Sequence, residues 1–122
     1  MHSSYKSKGG PSRLFAALRY SLQGLRAAFR HEAAFRQELL LVAILAPVAV
    51  WLGRTPLEVI LLIGSLLFVL VVELLNSALE TVADAVTIDD HPLIGRAKDL
   101  GSAAVLLALC LAVLVWVAVI WA

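Results

Sequence analysis

The fold class this sequence predicts is an all-α membrane protein: an N-terminal amphipathic surface helix followed by three transmembrane helices. Two observations predict it. Of the 122 residues, 61% are hydrophobic and only 16% charged, with a mean hydropathy of +0.92, richer in apolar residues than a soluble domain. A domain this small buries the smallest fraction of its surface when it folds in water, so lipid must be the solvent for most of that apolar area. The charges are also segregated. Lys6, Lys8, Arg13, Arg19, Arg26, Arg30 and Arg36 are seven of the ten cations, and all precede the first long apolar run. The length allows one domain, residues 1–122.

Residues 1–11 are polar and glycine-containing and read as a flexible tail. Ser12 is placed to cap a helix over 12–32. Within it Leu14, Leu18, Leu22, Leu25 and Phe29 cover an arc of roughly 80° at 100° per residue. Arg19, Gln23, Arg26 and Arg30 lie beside that arc. An apolar stripe flanked by basic residues is the pattern of a helix lying on an anionic membrane surface. The first span is expected over 33–53, with Arg36, Gln37 and Glu38 at the interface because the dense apolar run from Leu39 to Leu52 is shorter than the ~20 residues that cross a bilayer. Pro47 is a candidate kink, Trp51 marks the far interface, and Gly53 to Pro56 form a tight turn. The second helix is expected over 57–86. At 1.5 Å per residue Glu73 lies roughly 22 Å along the axis from Glu58, and Glu80 roughly 33 Å. A polar loop is expected over 87–95, and a third helix over 96–121, entered by Arg96, Lys98 and Asp99 and anchored at its far end by Trp116 and Trp121.

Cations number seven before the dense apolar run of the first span, one in the first turn, and two, Arg96 and Lys98, where the second loop enters the third helix. The positive-inside rule then places the N-terminus and second loop in the cytoplasm and the C-terminus outside. All polar clusters share the cytoplasmic side. No cleavable signal is expected, since the apolar run begins too far into the chain. Cys110 sits within the last apolar segment and reads as a packing or lipid-facing residue. Nucleic-acid binding is excluded as a reading, because the basic stretch carries no reading motif and leads directly into the spans.

The chemistry is expected on the second helix. Taking Glu73 as 0°, Asn76, Ser77, Glu80 and Asp84 fall at about −60°, +40°, −20° and +20°, so five polar residues share one face where the helix meets the cytoplasmic interface. Ionisable groups inside a span are costly and usually functional. Glu32 and Glu38, and Lys98 and Asp99, lie at the same height. Carboxylates from different helices can hold Mg²⁺, which shares oxygen ligands with phosphate, while Lys and Arg offset phosphate charge. A glutamate just below the interface suits general-base work on a lipid hydroxyl. No GxxxxGK[ST] loop and no protein-kinase motif set is present. Gly9-Gly10 is too short to cradle phosphate, and three spans leave no residues for a soluble nucleotide domain. Any ATP must dock on the membrane face itself.

At these residues the chain resembles the small integral-membrane diacylglycerol kinases of bacteria. The resemblance is carried by Tyr20-Ser-Leu-Gln-Gly24-Leu-Arg26-Ala-Ala, Glu32-Ala-Ala-Phe-Arg-Gln-Glu38, Val72-Glu73-Leu-Leu-Asn76-Ser77-Ala-Leu-Glu80 and Gly95-Arg-Ala-Lys98-Asp99-Leu-Gly101-Ser102-Ala-Ala, in order, and it spans residues 13 to 121. It implies a homotrimer of three-span subunits in the bacterial inner membrane, with active sites shared between neighbouring chains, and ATP and Mg²⁺ as cosubstrate and metal. By position, Glu73 resembles the catalytic base, and Glu32 and Glu80 the metal-holding carboxylates, which also contact the nucleotide. Arg13, Tyr20, Asn76, Asp84, Asp89, Asp90, His91, Lys98 and Asp99 resemble further nucleotide contacts. Arg13, Ala17, Arg26, Ala34, Gln37, Glu38, Trp51 and Ser102 would join Glu73 along the lipid substrate's cleft.

The activity so implied is transfer of the γ-phosphate of Mg-ATP to the free hydroxyl of diacylglycerol, giving phosphatidate. The alternative within the same family is an undecaprenol kinase, whose chemistry the same helix face would serve. Small multidrug transporters also carry an intramembrane glutamate, but near the midplane and on four spans. An assembly subunit needs one or two hydrogen-bonding residues as glue, not a row of carboxylates that repel one another.

Overall fold

A computed structural model describes residues 9–86 and 91–122, which form four helices. These are α1 (Gly10–His31), α2 (Ala33–Leu52), α3 (Pro56–Val86) and α4 (Pro92–Trp121). The chain divides into two units, Met1–Glu32 and Ala33–Ala122.

In the first unit α1 starts two residues before the expected cap. Gly9 is the N-cap, no side chain caps the end, and Ser12 lies inside the helix. Two residues account for the earlier start. Gly10 has φ +60°, open to glycine because it has no Cβ, and Pro11, with its preset φ and missing N–H, suits a first turn. Glu32 closes the other end in an extended conformation, its N–H donating to the Ala28 carbonyl at 2.9 Å. Leu14, Leu18, Leu22, Leu25 and Phe29 are all exposed.

In the second unit three helices are each long and apolar enough to cross a membrane. α3 is central, with α2 and α4 both packed against it. Its buried residues are Leu62, Ser65, Leu66, Val69, Leu70, Glu73, Ser77 and Ala83, a stripe at helical spacing. Leu62 packs with Ala49 of α2 and Val119 of α4 near one end. Val69 packs with Ala108 and Ala112 of α4 nearer the middle. Small residues at four-residue spacing let helix backbones approach closely, the usual way helices associate where lipid removes the hydrophobic drive between them. The pairings run in opposite directions along the two helices, so α3 and α4 are antiparallel. Outward-facing side chains such as Leu67, Phe68, Leu107 and Leu114 are exposed, as a lipid-solvated surface requires. At 31 residues α3 is about 46 Å long, against a hydrocarbon core of roughly 30 Å. It therefore projects beyond the core and carries its last turns into polar surroundings.

The turn between α2 and α3 is tightly specified. A Cβ on Gly53 would collide with Val59 Cγ2 and lie 3.2 Å from the Ala49 carbonyl, so glycine is required there. Thr55 Oγ1 accepts from the Glu58 N–H at 3.2 Å, while Glu58 Oε1 accepts from the Arg54 N–H at 2.9 Å. This is a capping-box arrangement displaced by one residue, with Pro56 as the first helical residue. The Arg54 guanidinium then reaches across the fold, donating to the carbonyls of Val119 at 2.6 Å and Ala122 at 2.7 Å. A cation on the last carbonyls of α4 satisfies orphan acceptors and opposes the negative end of the helix dipole. Arg54→Ala is therefore expected to destabilise the fold by on the order of 1 kcal/mol, read as a lower unfolding midpoint in a denaturant titration in detergent. An unchanged midpoint would show the clasp to be energetically idle.

Two sequence expectations change here. Pro92 to Gly95, expected in a loop, are the first turn of α4. His91 caps it, Nδ1 accepting from the Leu93 N–H at 3.1 Å, and the Gly95 N–H closes the turn on the His91 carbonyl at 2.9 Å. A proline reads as a breaker from the C-terminal side, but at the first helical position it costs nothing. Consequently Arg96, Lys98 and Asp99 stand in the second turn of α4 rather than at its entry.

Candidate active site

The packed stripe of α3 begins apolar and ends polar, so the residues that hold the helices together also deliver the candidate chemistry. Leu62, Leu66, Val69 and Leu70 lead, at steps of one to four residues, to Glu73 and then Ser77, all buried. Glu73 is 5% exposed, and its Oε2 accepts from Ser77 Oγ at 3.2 Å. From α2 the Glu38 carboxyl faces that of Glu73, and Glu38 Oε1 is buried without a hydrogen-bond partner. Two facing carboxylates repel unless a proton or cation comes between them, so this pair is a place where chemistry, not packing, sets the residue types.

The face continues with graded burial. Asn76 and Glu80 are half-buried, and Asp84 is exposed. Asn76 Oδ1 is buried and unpartnered, resting against Gly101 of α4. Beyond that close approach α3 and α4 separate around a wholly apolar groove of about 370 Å³, lined by Ala78, Leu79, Val82 and Ala83 on one side and Ile94 and Ala97 on the other. Lys98 Nζ bridges the separation to Asp84 Oδ1 at 2.6 Å. Both side chains are well exposed, so the pair orients Lys98 more than it stabilises the fold.

The second unit thus brings together Glu38, Glu73, Asn76, Glu80, Asp84 and Lys98 at one end of the packed helices. Asp99 and Ser102 are exposed on α4, and Ala34 and Gln37 on α2. Trp51 is exposed at the opposite end of α2, about 20 Å along the axis from Glu38. His91 is the α4 cap. Asp89 and Asp90 lie outside the described residues. In the first unit Arg13 and Arg26 are exposed on α1, Ala17 and Tyr20 are half-buried, and Arg19 lies over the Tyr20 ring at 5.5 Å. Glu32 is the half-buried residue that ends α1. Sequence reasoning gave no role to Gly101. Its signal was the run Gly101-Ser102-Ala103-Ala104, small residues that let another helix come close.

Three membrane-length helices whose shared packing stripe ends in facing carboxyls define a multi-pass membrane protein with a polar centre at one end of its helices. The sequence matches the prokaryotic diacylglycerol kinase family over residues 19–120. The diacylglycerol kinase of Haemophilus influenzae is 51% identical over 112 residues, covering 92% of this chain and 94% of that protein. That of Escherichia coli K12 is 47% identical over 112 residues, 92% of each. That of Pseudomonas aeruginosa is 46% identical over 118 residues, 97% of this chain and 96% of the other. This chain belongs to the prokaryotic diacylglycerol kinase family and is an enzyme of that family.

Proposed function

We propose that this protein transfers the γ-phosphate of Mg-ATP to the free hydroxyl of diacylglycerol, giving phosphatidate, at the cytoplasmic face of the bacterial inner membrane. The observation that carries the reading is the buried Glu73 carboxyl, held by Ser77 at the polar end of an apolar stripe. A lipid hydroxyl reaches that depth without leaving the bilayer. There Glu73 takes its proton as general base, the oxygen attacks the γ-phosphorus, and the bond from that phosphorus to the bridging oxygen breaks to release ADP. Ser77 fixes the carboxyl's orientation, and the surrounding apolar helices exclude water that would otherwise consume ATP. Lys98, set by Asp84, offsets phosphate charge, and Asn76 offers its amide to a phosphate oxygen. Arg13, Tyr20, Asp89, Asp90, His91 and Asp99 are the further nucleotide contacts that the family resemblance supplies. Arg13, Ala17, Arg26, Ala34, Gln37, Glu38, Trp51 and Ser102 are the residues proposed to flank the lipid.

The donor chemistry fits Mg²⁺. Both candidate ligands, Glu32 and Glu80, supply carboxylate oxygens, and Mg²⁺ is characteristically held by one or two carboxylates plus substrate phosphates. Among the described residues no group of three or more His, Cys, Asp or Glu is arranged to hold a metal. Glu80, half-buried two turns beyond Glu73, and Glu32 are the proposed ligands. When bound, Mg²⁺ neutralises charge developing on the transferred phosphoryl group.

The subunit is proposed to act as a homotrimer with sites shared between chains. The exposed stripe of Leu14, Leu18, Leu22, Leu25 and Phe29 on α1, flanked by Arg19, Arg26 and Arg30, supports an amphipathic helix on the cytoplasmic surface. The excess of cations before the first span supports a cytoplasmic N-terminus and a periplasmic C-terminus.

The test is transfer of labelled γ-phosphate by purified protein in detergent, with diacylglycerol and undecaprenol offered side by side, with and without Mg²⁺. Mg²⁺-dependent labelling of diacylglycerol is expected. Labelling chiefly of undecaprenol would move the protein to that substrate, and labelling of neither by folded protein would overturn the reading. Ser77→Ala is expected to lower kcat by about five- to tenfold, the worth of one hydrogen bond to the base, with KM for ATP unchanged. A wild-type kcat in that variant would remove Ser77 from the mechanism.

A further inference from the structure

Asn76 is the chain's one asparagine, and its buried carboxamide oxygen has no hydrogen-bond partner. Something must hold that oxygen in place, because a buried acceptor left unpaired is costly. A Cβ added to Gly101 would fall onto Asn76 Oδ1, with Asn76 Cγ at 3.2 Å and Leu79 Cδ2 at 3.8 Å. The other glycines of α3 and α4, Gly64 and Gly95, have nothing within 4 Å of the same position. Gly101 is also buried, in a helix interior where glycine is otherwise unfavourable. Its missing side chain is therefore used at one place, to let α4 lie on the Asn76 amide. The contact left there is of the weak Cα–H···O kind. The reverse orientation of the amide would bury two N–H donors against a C–H, which is worse, so the oxygen faces Gly101 and the NH₂ group is left for other partners.

We infer that Gly101 is a positioning residue for phosphoryl transfer. By lacking a Cβ it clamps the Asn76 carboxamide, aiming its NH₂ toward the phosphate handled beside Glu73. Asn76 is on the helix face of Glu73 and Glu80, and Gly101 touches it beside the apolar groove between α3 and α4. The inference rests on the kinase reading and adds the residue that sets one of its donors.

The single asparagine makes the test direct. Protein labelled with ¹⁵N-asparagine shows one side-chain amide signal, whose position reports the clamp without reference to activity. In Gly101→Ala that signal is expected to move, and kcat at saturating Mg-ATP to fall tenfold or more with the oligomer intact. The double variant Gly101→Ala/Asn76→Ala is expected to be no slower than Asn76→Ala alone, because both changes remove the same donor. An unmoved amide signal, a wild-type kcat, or losses that multiply would each overturn the inference. A residue that merely packed helices would lower stability without that non-additivity in kcat. If Gly101→Ala does not fold, recovery of folding in the double variant supports the contact, and failure of both overturns it. Wild-type protein that labels no lipid overturns the kinase reading, whereas active wild type with an indifferent Gly101→Ala overturns this inference alone.

Discussion

Glu73→Gln is expected to lower turnover at least a hundredfold, at the low end of what a positioned general base contributes, while the protein stays folded and of unchanged oligomeric state. Glutamine keeps the shape of the side chain and an oxygen that can accept from Ser77 Oγ, which now lies at 3.2 Å from the carboxylate. What it loses is the capacity to take a proton. The geometry adds a second expected result. Glu38 faces Glu73 with one of its own oxygens buried and unpartnered, so replacing one of two opposed carboxyls by a neutral amide removes a repulsion and supplies a donor. The thermal midpoint of Glu73→Gln is therefore expected to equal or exceed that of the wild type, as when an active-site group is kept at a cost in stability. Activity and unfolding measured on the same preparation separate the readings. Lost activity with retained stability supports the base, and full activity would dismiss it. Lost activity with lost stability would make Glu73 a packing residue. Cys110→Ala, at an exposed position on α4, is the matched control and is expected to change neither.

The three spans were legible because lipid leaves the backbone few options. A long apolar run in a membrane must be helical, since no water satisfies its peptide groups. The expected bounds 33–53 and 57–86 differ from α2 (Ala33–Leu52) and α3 (Pro56–Val86) by a residue. Helical periodicity likewise put Glu73, Asn76, Ser77, Glu80 and Asp84 on one face. It could not grade them, because angle around an axis says nothing about where the neighbouring helices stop. Glu73 and Ser77 are buried on the stripe by which α3 packs against its neighbours, whereas Asp84 is exposed beside the groove between α3 and α4. The Arg54 clasp joins residues 65 and 68 positions apart, a pairing that no local pattern encodes. The early start of α4 was misread for a local reason. Pro92 signals equally the end of one element and the first turn of another, and His91 as a cap decides between them. Gly101 was hidden among other small residues, and only the position of Asn76 on the facing helix distinguishes it.

Glu80→Gln is expected to act on the metal and not on the base. Glu80 lies seven residues, two helical turns, beyond Glu73, about 10 Å along the axis. That separation leaves room for a phosphoryl group between a proton acceptor at one level and a cation at the other. Glu80 is half-buried, deep enough to escape full solvent screening and shallow enough to meet a hydrated ion. Removing one anionic oxygen from a site that supplies only one or two should raise the Mg²⁺ concentration for half-maximal activity by tenfold or more, on the scale seen when the supports of metal ligands are lost. Added Mg²⁺ should recover much of the rate, which it cannot do for Glu73→Gln. Binding of Mn²⁺ followed by its paramagnetic signal, in the presence of a non-hydrolysable ATP analogue, gives a readout independent of turnover and should weaken in parallel. A fall in kcat with unchanged metal dependence would show that Glu80 serves the nucleotide or the fold instead. Glu32→Gln tested in the same way separates the two proposed ligands. If it shifts metal dependence as Glu80→Gln does, both carboxylates hold the ion, and if it does not, Glu80 and the phosphates hold it without Glu32.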